Sequence, residues 1–121
     1  MTGIGRLNHL ALTVADRERS RRFYMETLGL QGNVRDVGVG LLLTTADGFV
    51  LALFDGEPPQ GREDIHFGFA LNTSDEVRSF RERLLAEGVS EVSWGDSPIF
   101  VSFKFLDPDG YVVEAFWEGL E

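Results

Sequence analysis

The two histidines of this 121-residue chain, His9 and His66, lie in short apolar segments of similar sequence. The first segment reads LNHLALTV and the second DIHFGFAL, while Glu114 interrupts a third apolar segment, YVVEAFW. A carboxylate among apolar residues costs free energy unless it is paired with another charge or bound to a metal. Two neutral imidazoles and one carboxylate form the ligand set of a divalent-metal site that keeps open positions.

Side-chain alternation places these residues on faces with small neighbours. Successive strand residues point to opposite faces of a sheet. His66 therefore shares a face with Gly68 and Ala70, whereas the Ile, Phe and Leu residues of its segment point the other way. We expect a helix to cover the bulky face and the histidine face to line a cleft.

Each of these residues also has a purely structural interpretation. A single strand histidine is most often a hydrogen-bonded core or edge residue, and a single strand glutamate usually lies at a sheet edge. The equivalent placement of both histidines, with a glutamate on the corresponding face of the last strand, favours a metal site. The mixed nitrogen and carboxylate ligands favour Mn, Fe, Ni or Zn over Mg or Ca.

The chain contains two copies of one pattern. LNHLALTVADRERSRRFYMETLGL aligns with DIHFGFALNTSDEVRSFRERLLAEGV, and TTADGFVLALF aligns with FLDPDGYVVEAFW. Each copy predicts a strand, an amphipathic helix ended by glycine, and three further strands. The predicted fold class is α+β, with two tandem βαβββ modules at about residues 5–57 and 62–118 that form a metal-binding cleft within a single domain. The alignment places Ala52 at the position that matches Glu114.

Polar residues mark the two helix starts. Asp16 and Thr73 can each cap a helix, and Glu76 has the spacing to reach back to the Thr73 N–H in a capping box.

The LDPDG turn sets the register of the last two strands. Pro108-Asp109-Gly110 predicts a three-residue loop that places Asp107 opposite Tyr111 and Lys104 opposite Glu114. Opposed residues share a face, with β-carbons about 5 Å apart. The only lysine of the chain would therefore lie beside the carboxylate.

Lys104 has two possible roles at that position. One is a cross-strand ion pair with Glu114 and no metal. The other is to receive a substrate anion or a developing oxyanion, with Ser102 as a neighbouring donor and Phe116 on the same face. Lys104, Ser102 and Phe116 are accordingly the candidate substrate-binding residues, and no catalytic residue is assigned.

Composition narrows the choice of partners. A net charge of −9 repels nucleic acid and anionic membranes, and the absence of cysteine rules out disulfides and is compatible with a cytoplasmic location. No segment has the run of about 18 apolar residues that a membrane helix needs. Two modules with sheet edges in so short a chain predict a homodimer.

The motifs LNHLALTVAD…SRRFYMETLGL, DIHFGFAL and FLDPDGYVVEAF resemble the vicinal oxygen chelate superfamily, which holds glyoxalase I, bleomycin-resistance proteins, extradiol dioxygenases and fosfomycin-resistance enzymes. The resemblance implies two βαβββ modules that form a cleft, usually in a dimer and sometimes with modules exchanged between chains. It also implies metal ligands from the first and last strands of the modules, which are His9, His66 and Glu114 here.

The branches of the superfamily fit the chain to different degrees. Glyoxalase I-like members generally have a fourth ligand at the position of Ala52, and extradiol dioxygenases need a third histidine that this chain lacks. Fosfomycin-resistance enzymes use the same three ligands, and LNHL and FLDPDG are similar to theirs; in those enzymes a basic segment that helps hold the phosphonate follows the position of FWEGLE. Bleomycin-resistance proteins bind drug in a cleft without a metal.

The predicted function is a divalent-metal-dependent enzyme that applies Lewis-acid catalysis to a small substrate chelating through neighbouring oxygens. Lyase, isomerase, transferase and dioxygenase chemistry all stay open. One alternative is a resistance protein that sequesters a drug or metabolite without turnover. Another is a partner-binding module that has kept the fold and lost the chemistry.

Overall fold

A computed structural model describes residues 3–119 of the chain, which divides into two compact units between Pro58 and Pro59. The strands are β1 His9–Val14, β2 Asn33–Asp36, β3 Gly40–Thr44, β4 Val50–Asp55, β5 His66–Ala70, β6 Glu91–Asp96, β7 Phe100–Leu106 and β8 Val112–Glu118. The two α-helices are α1 Arg17–Arg22 and α2 Ser74–Ala86.

Each unit contains one four-stranded sheet with the same topology. The strand orders are β1-β4-β3-β2 and β5-β8-β7-β6. In both sheets the first strand pairs in parallel with the last, and the remaining pairs are antiparallel. The α+β fold with two tandem βαβββ modules is therefore confirmed.

The first helix is shorter than the sequence suggested. The Asp16 carboxylate accepts hydrogen bonds from the backbone N–H groups of Glu18 and Arg19, which confirms the predicted cap. After six α-helical residues the chain continues as a π-helical turn over Phe23–Thr27. Tyr24 in this turn is fully buried, and its ring meets that of Phe23 edge-on at 5.4 Å.

The second helix has the predicted N-cap but a different partner for Glu76. Thr73 Oγ1 accepts a hydrogen bond from the Glu76 N–H at 3.1 Å, as expected. The Glu76 carboxylate accepts from the Asn72 N–H at 3.2 Å instead of from the Thr73 N–H. The predicted capping box is wrong in that one bond, because the carboxylate reaches one residue beyond the cap.

Helix α2 covers the bulky face of its sheet. Val77 and Leu84 are fully buried, and the Phe80 ring lies 6.0 Å from that of Phe105 on β7. Complete burial of a Val or Leu side chain contributes about 1.5–3 kcal/mol. Gly88, at φ +88°, ends the helix in the left-handed conformation that glycine adopts at little cost.

The turn between β7 and β8 has the predicted loop and register. The Asp107 N–H donates to the Tyr111 carbonyl at 3.0 Å, and Gly110 adopts a φ of +88°. Lys104 then lies directly opposite Glu114. The register prediction is therefore confirmed.

Arg62 ties this turn to the segment that leads into β5. Its Nε donates to the Asp109 carbonyl at 2.5 Å, and its Nη1 donates to the Pro59 carbonyl at 2.9 Å. The arginine lies in a 3₁₀ turn, Arg62–Asp64, two residues before His66. The elements that carry His66 and Glu114 are thus held together at one end of module two.

Ion pairs join helix α2 to strand β6. Arg78 binds both carboxylate oxygens of Asp96 at 2.9 Å, and this hydrogen bonding lowers the pKa of Asp96. Arg81 pairs with Glu91 and stacks on the Trp94 ring at 4.5 Å from its centroid.

None of the helices within residues 3–119 is long and apolar enough to cross a membrane.

Candidate metal and substrate site

The sheet face of module two opposite α2 carries most of the candidate metal-binding and substrate-binding residues. Opposed residues share a face, and the registers of β5, β7 and β8 bring these residues together. We call this surface the carboxylate face, and its members are His66, Gly68, Ser102, Lys104, Glu114 and Phe116.

Glu114 lies at the centre of the carboxylate face with its two oxygens in different environments. Its side chain is only 13% exposed. Oε2 accepts a hydrogen bond from Ser102 Oγ at 2.5 Å, within the range of O–H···O⁻ bonds. Oε1 faces His66 Nε2 at 3.5 Å. The carboxylate is thus held by one oxygen and presents the other to the imidazole.

The separation between His66 Nε2 and Glu114 Oε1 suits a shared cation. At 3.5 Å it is longer than an N–H···O hydrogen bond, which is typically about 2.7–3.2 Å. Two donors bound to one ion at about 2.1 Å lie about 3.0 Å apart at a right angle and about 3.4 Å apart at a tetrahedral angle. The two residues therefore fit neighbouring positions on a divalent ion with little movement.

Gly68 leaves the space that the Glu114 carboxylate occupies. The two residues are directly opposed on β5 and β8. A β-carbon at residue 68 would lie 3.3 Å from Glu114 Oε1 and 3.2 Å from the Glu114 carbonyl oxygen, closer than most real contacts of a β-carbon. A side chain at residue 68 would thus displace the Glu114 carboxylate by a few tenths of an ångström.

We expect Gly68→Ala to weaken divalent-metal binding about 10-fold while leaving module two folded, a loss of about 1.4 kcal/mol in affinity. The added methyl group would press on Oε1, the oxygen that faces His66. Isothermal titration with Mn²⁺ measures the effect, and Gly95→Ala is the matched control because a β-carbon there meets nothing within 4 Å. Equal affinities in both variants would show that the space beside Glu114 is unimportant.

Lys104 is opposed to Glu114 but does not bind it. The side chain is half-buried, and among residues 3–119 it takes part in no ion pair or hydrogen bond. The cross-strand ion pair considered above is therefore not formed, because Ser102 holds one carboxylate oxygen and the other faces His66. This leaves the ammonium group of the only lysine available to an external anion.

The other candidate substrate residues have protein contacts of their own. Ser102 is 7% exposed, and its hydroxyl proton already forms a hydrogen bond to Glu114. The half-buried Phe116 ring lies 6.3 Å from the Phe100 ring. Contact of either residue with a substrate stays a prediction.

His9 occupies the same register position in module one as His66 in module two. His9 opposes Val50, as His66 opposes Val112. The imidazole is exposed, and its Nδ1 lies 3.0 Å from the Asn8 amide oxygen. A hydrogen bond donated by Nδ1 leaves the lone pair on Nε2, the arrangement that metal-binding histidines use. This contact of Asn8 was not predicted from the sequence, although Asn8 directly precedes His9.

Module one is apolar where module two is polar. The residues at the positions of Ser102, Lys104 and Glu114 are Gly40, Leu42 and Ala52. The register thus places Ala52 at the fourth position, as the repeat alignment predicted. Within residues 3–119 no group of three His, Asp or Glu side chains is close enough to hold a metal, so the structure brings together His66 and Glu114 but no third ligand.

The comparisons with known proteins agree with this architecture. The model of the Glyoxalase/Bleomycin resistance protein/Dioxygenase superfamily matches residues 6–115. The chain belongs to this superfamily.

Among curated proteins, this chain is similar to the glutathione transferase FosA of Serratia marcescens. The two are 36% identical over 112 residues, which cover 89% of this chain and 77% of the relative. Among solved structures, a glyoxalase/bleomycin resistance protein/dioxygenase from Nocardioides shares 25% identity at a TM-score of 0.76, covering 98% and 86% of the two chains. A possible glyoxalase from Bacillus cereus shares 26% identity at a TM-score of 0.77, covering 91% and 96%.

Proposed function

We propose that this member of the superfamily is a divalent-metal-dependent enzyme for a small substrate that chelates through neighbouring oxygens. His9, His66 and Glu114 are the proposed ligands, and the two modules, about residues 5–57 and 62–118, act as one domain. The observation that carries the proposal is the shielded Glu114 carboxylate, which faces His66 at 3.5 Å, while the opposed Lys104 side chain forms no ion pair with any residue in the described range 3–119.

The residues of the chain have distinct roles in this proposal. His9 and His66 provide imidazole lone pairs, and Glu114 provides Oε1. When bound, Mn, Fe, Ni or Zn would act as a Lewis acid on a substrate oxygen. The Lys104 ammonium group binds an anionic group of the substrate, and Phe116 provides an apolar contact beside it.

Group transfer is the chemistry that we place first. The Serratia relative is named a glutathione transferase, and Lys104 suits a substrate that carries an anion. Addition of a thiol to an epoxide would form a carbon–sulfur bond and break a carbon–oxygen bond, with the thiol proton ending on the released oxygen. Lewis-acid activation of that oxygen lowers the barrier to ring opening.

A substrate screen tests this function. Purified protein, metal-free or loaded with Mn²⁺ or Zn²⁺, is incubated with glutathione and an epoxide that bears a phosphonate or carboxylate, and with α-ketoaldehydes, catechols and β-keto acids. We expect metal-dependent multiple turnover on one of these classes, removed by a chelator. Stoichiometric protection of a bound compound without turnover would instead favour the alternative, a drug- or metabolite-binding resistance protein, for which the half-buried Phe116 is a suitable contact.

We also expect a homodimer, in the cytoplasm. Each sheet has two edge strands, which are β1 and β2 in one module and β5 and β6 in the other. Unpaired strand edges favour association with another chain. Light scattering across working concentrations checks the mass, and a value of 13.5 kDa throughout would contradict the dimer.

A further inference from the structure

We propose that Ser102 is a positioning residue for Glu114. The inference rests on the proposed function, since it assigns to Ser102 the task of selecting which oxygen of Glu114 is offered to the metal. Ser102 Oγ donates to Oε2, and Oε1 is the oxygen that faces His66.

The surroundings of Ser102 leave its hydroxyl little other use. The residue is 7% exposed, and its O–H is directed to a carboxylate that is itself mostly shielded from water. Hydrogen bonds of a neutral donor to a carboxylate are stronger than those between neutral groups. Ser102 therefore reduces the cost of burying Glu114 and fixes the rotation of its carboxylate plane.

Fixing that rotation has a consequence for coordination. With Oε2 bound to Ser102, Glu114 offers a single oxygen to a cation beside His66. A carboxylate free to turn can offer both oxygens to the same ion and so occupy a position that a chelating substrate needs. Ser102 would thus increase metal affinity by preorganising the ligand and would also keep the neighbouring position open.

Module one provides a natural contrast. Gly40 and Ala52 stand at the positions of Ser102 and Glu114, so the hydroxyl and the carboxylate are absent together. Module one therefore lacks both members of the pair, which agrees with a serine that serves the glutamate.

Three variants test the role. Ser102→Ala removes the donor. Ser102→Thr keeps it, and the added methyl group has room because Ser102 is opposed by Gly95, around whose absent β-carbon there is open space. Ser93→Ala is the matched control, since Ser93 is an exposed serine opposed to Lys104 on the neighbouring strand.

The readouts are the Mn²⁺ dissociation constant, the electron paramagnetic resonance spectrum of bound Mn²⁺ and the melting temperature of the metal-free protein. Loss of an outer-shell partner typically costs about 10–100-fold in metal affinity. We expect that loss and an altered spectrum in Ser102→Ala, near wild-type values in Ser102→Thr, and no change in Ser93→Ala.

The outcomes separate this inference from the proposed function. Wild-type protein that binds no Mn²⁺ overturns both. Wild-type binding that Ser102→Ala leaves unchanged overturns the positioning role alone, as does a folded Ser102→Thr variant that binds as weakly as Ser102→Ala. If Ser102→Ala does not fold, Ser102→Val, which has the shape of threonine without a hydroxyl group, replaces it, and unchanged affinity and spectrum again overturn the role.

Discussion

Glu114→Gln should lose at least about 100-fold in divalent-metal affinity while the metal-free protein stays folded. The amide keeps the shape of the side chain and can still accept the Ser102 hydrogen bond, but it removes the negative charge that faces His66. A bound cation would therefore have a neutral amide in place of a charged carboxylate ligand, which divalent ions such as Mn²⁺ bind more strongly. A 100-fold loss corresponds to about 2.7 kcal/mol.

Isothermal titration with Mn²⁺ or Zn²⁺ measures this loss, and Glu118→Gln is the matched control. Glu118 lies on the same strand and the same face but is exposed. We expect the control to bind metal like the wild type. Equal, small effects in both variants would show that the loss of one negative charge from the sheet face, and not ligation, explains any change.

Lys104→Met should separate metal binding from substrate binding. The methionine side chain keeps much of the apolar stem of lysine and removes the ammonium group. Because Lys104 makes no ion pair with Glu114, metal affinity should change by less than about 3-fold, whereas an anionic ligand should lose the hydrogen bond to a charged donor, about 1.5–3 kcal/mol. That range corresponds to about 10–150-fold in affinity.

Inorganic phosphate, titrated into the metal-loaded protein, is the probe anion for this variant. Lys104→Arg is the control, since it restores a positive charge with a different shape and should recover part of the affinity. A gain in metal affinity in Lys104→Met would identify the lysine as a competitor for the carboxylate. A loss confined to thermal stability would show a structural role only.

Much of the carboxylate face follows from local rules in the sequence. The alternation of His66 with small residues identified the face, and the LDPDG turn fixed the register that places Lys104 opposite Glu114. Both rules hold because strand side chains have a period of two and because loop length determines hairpin register.

Other features depend on contacts that no local rule contains. The sequence predicted the face on which Ser102 lies but did not predict its hydrogen-bond acceptor. Whether the hydroxyl group donates to a substrate or to Glu114 depends on the rotation of the carboxylate. The partner of Glu76 and the π-helical turn at Phe23–Thr27 likewise depend on a side-chain rotation and on the packing of one turn. The third ligand, His9, belongs to the other module, so its participation stays a prediction.

The most direct test of the proposed function is the titration of metal-free wild-type protein and of His66→Ala with Mn²⁺ or Zn²⁺. We predict one saturable site per chain in the wild type and its loss in His66→Ala, because the imidazole supplies one of the two donors that face each other at 3.5 Å. Wild-type protein without a saturable site, or a site of unchanged affinity in His66→Ala, would contradict the account.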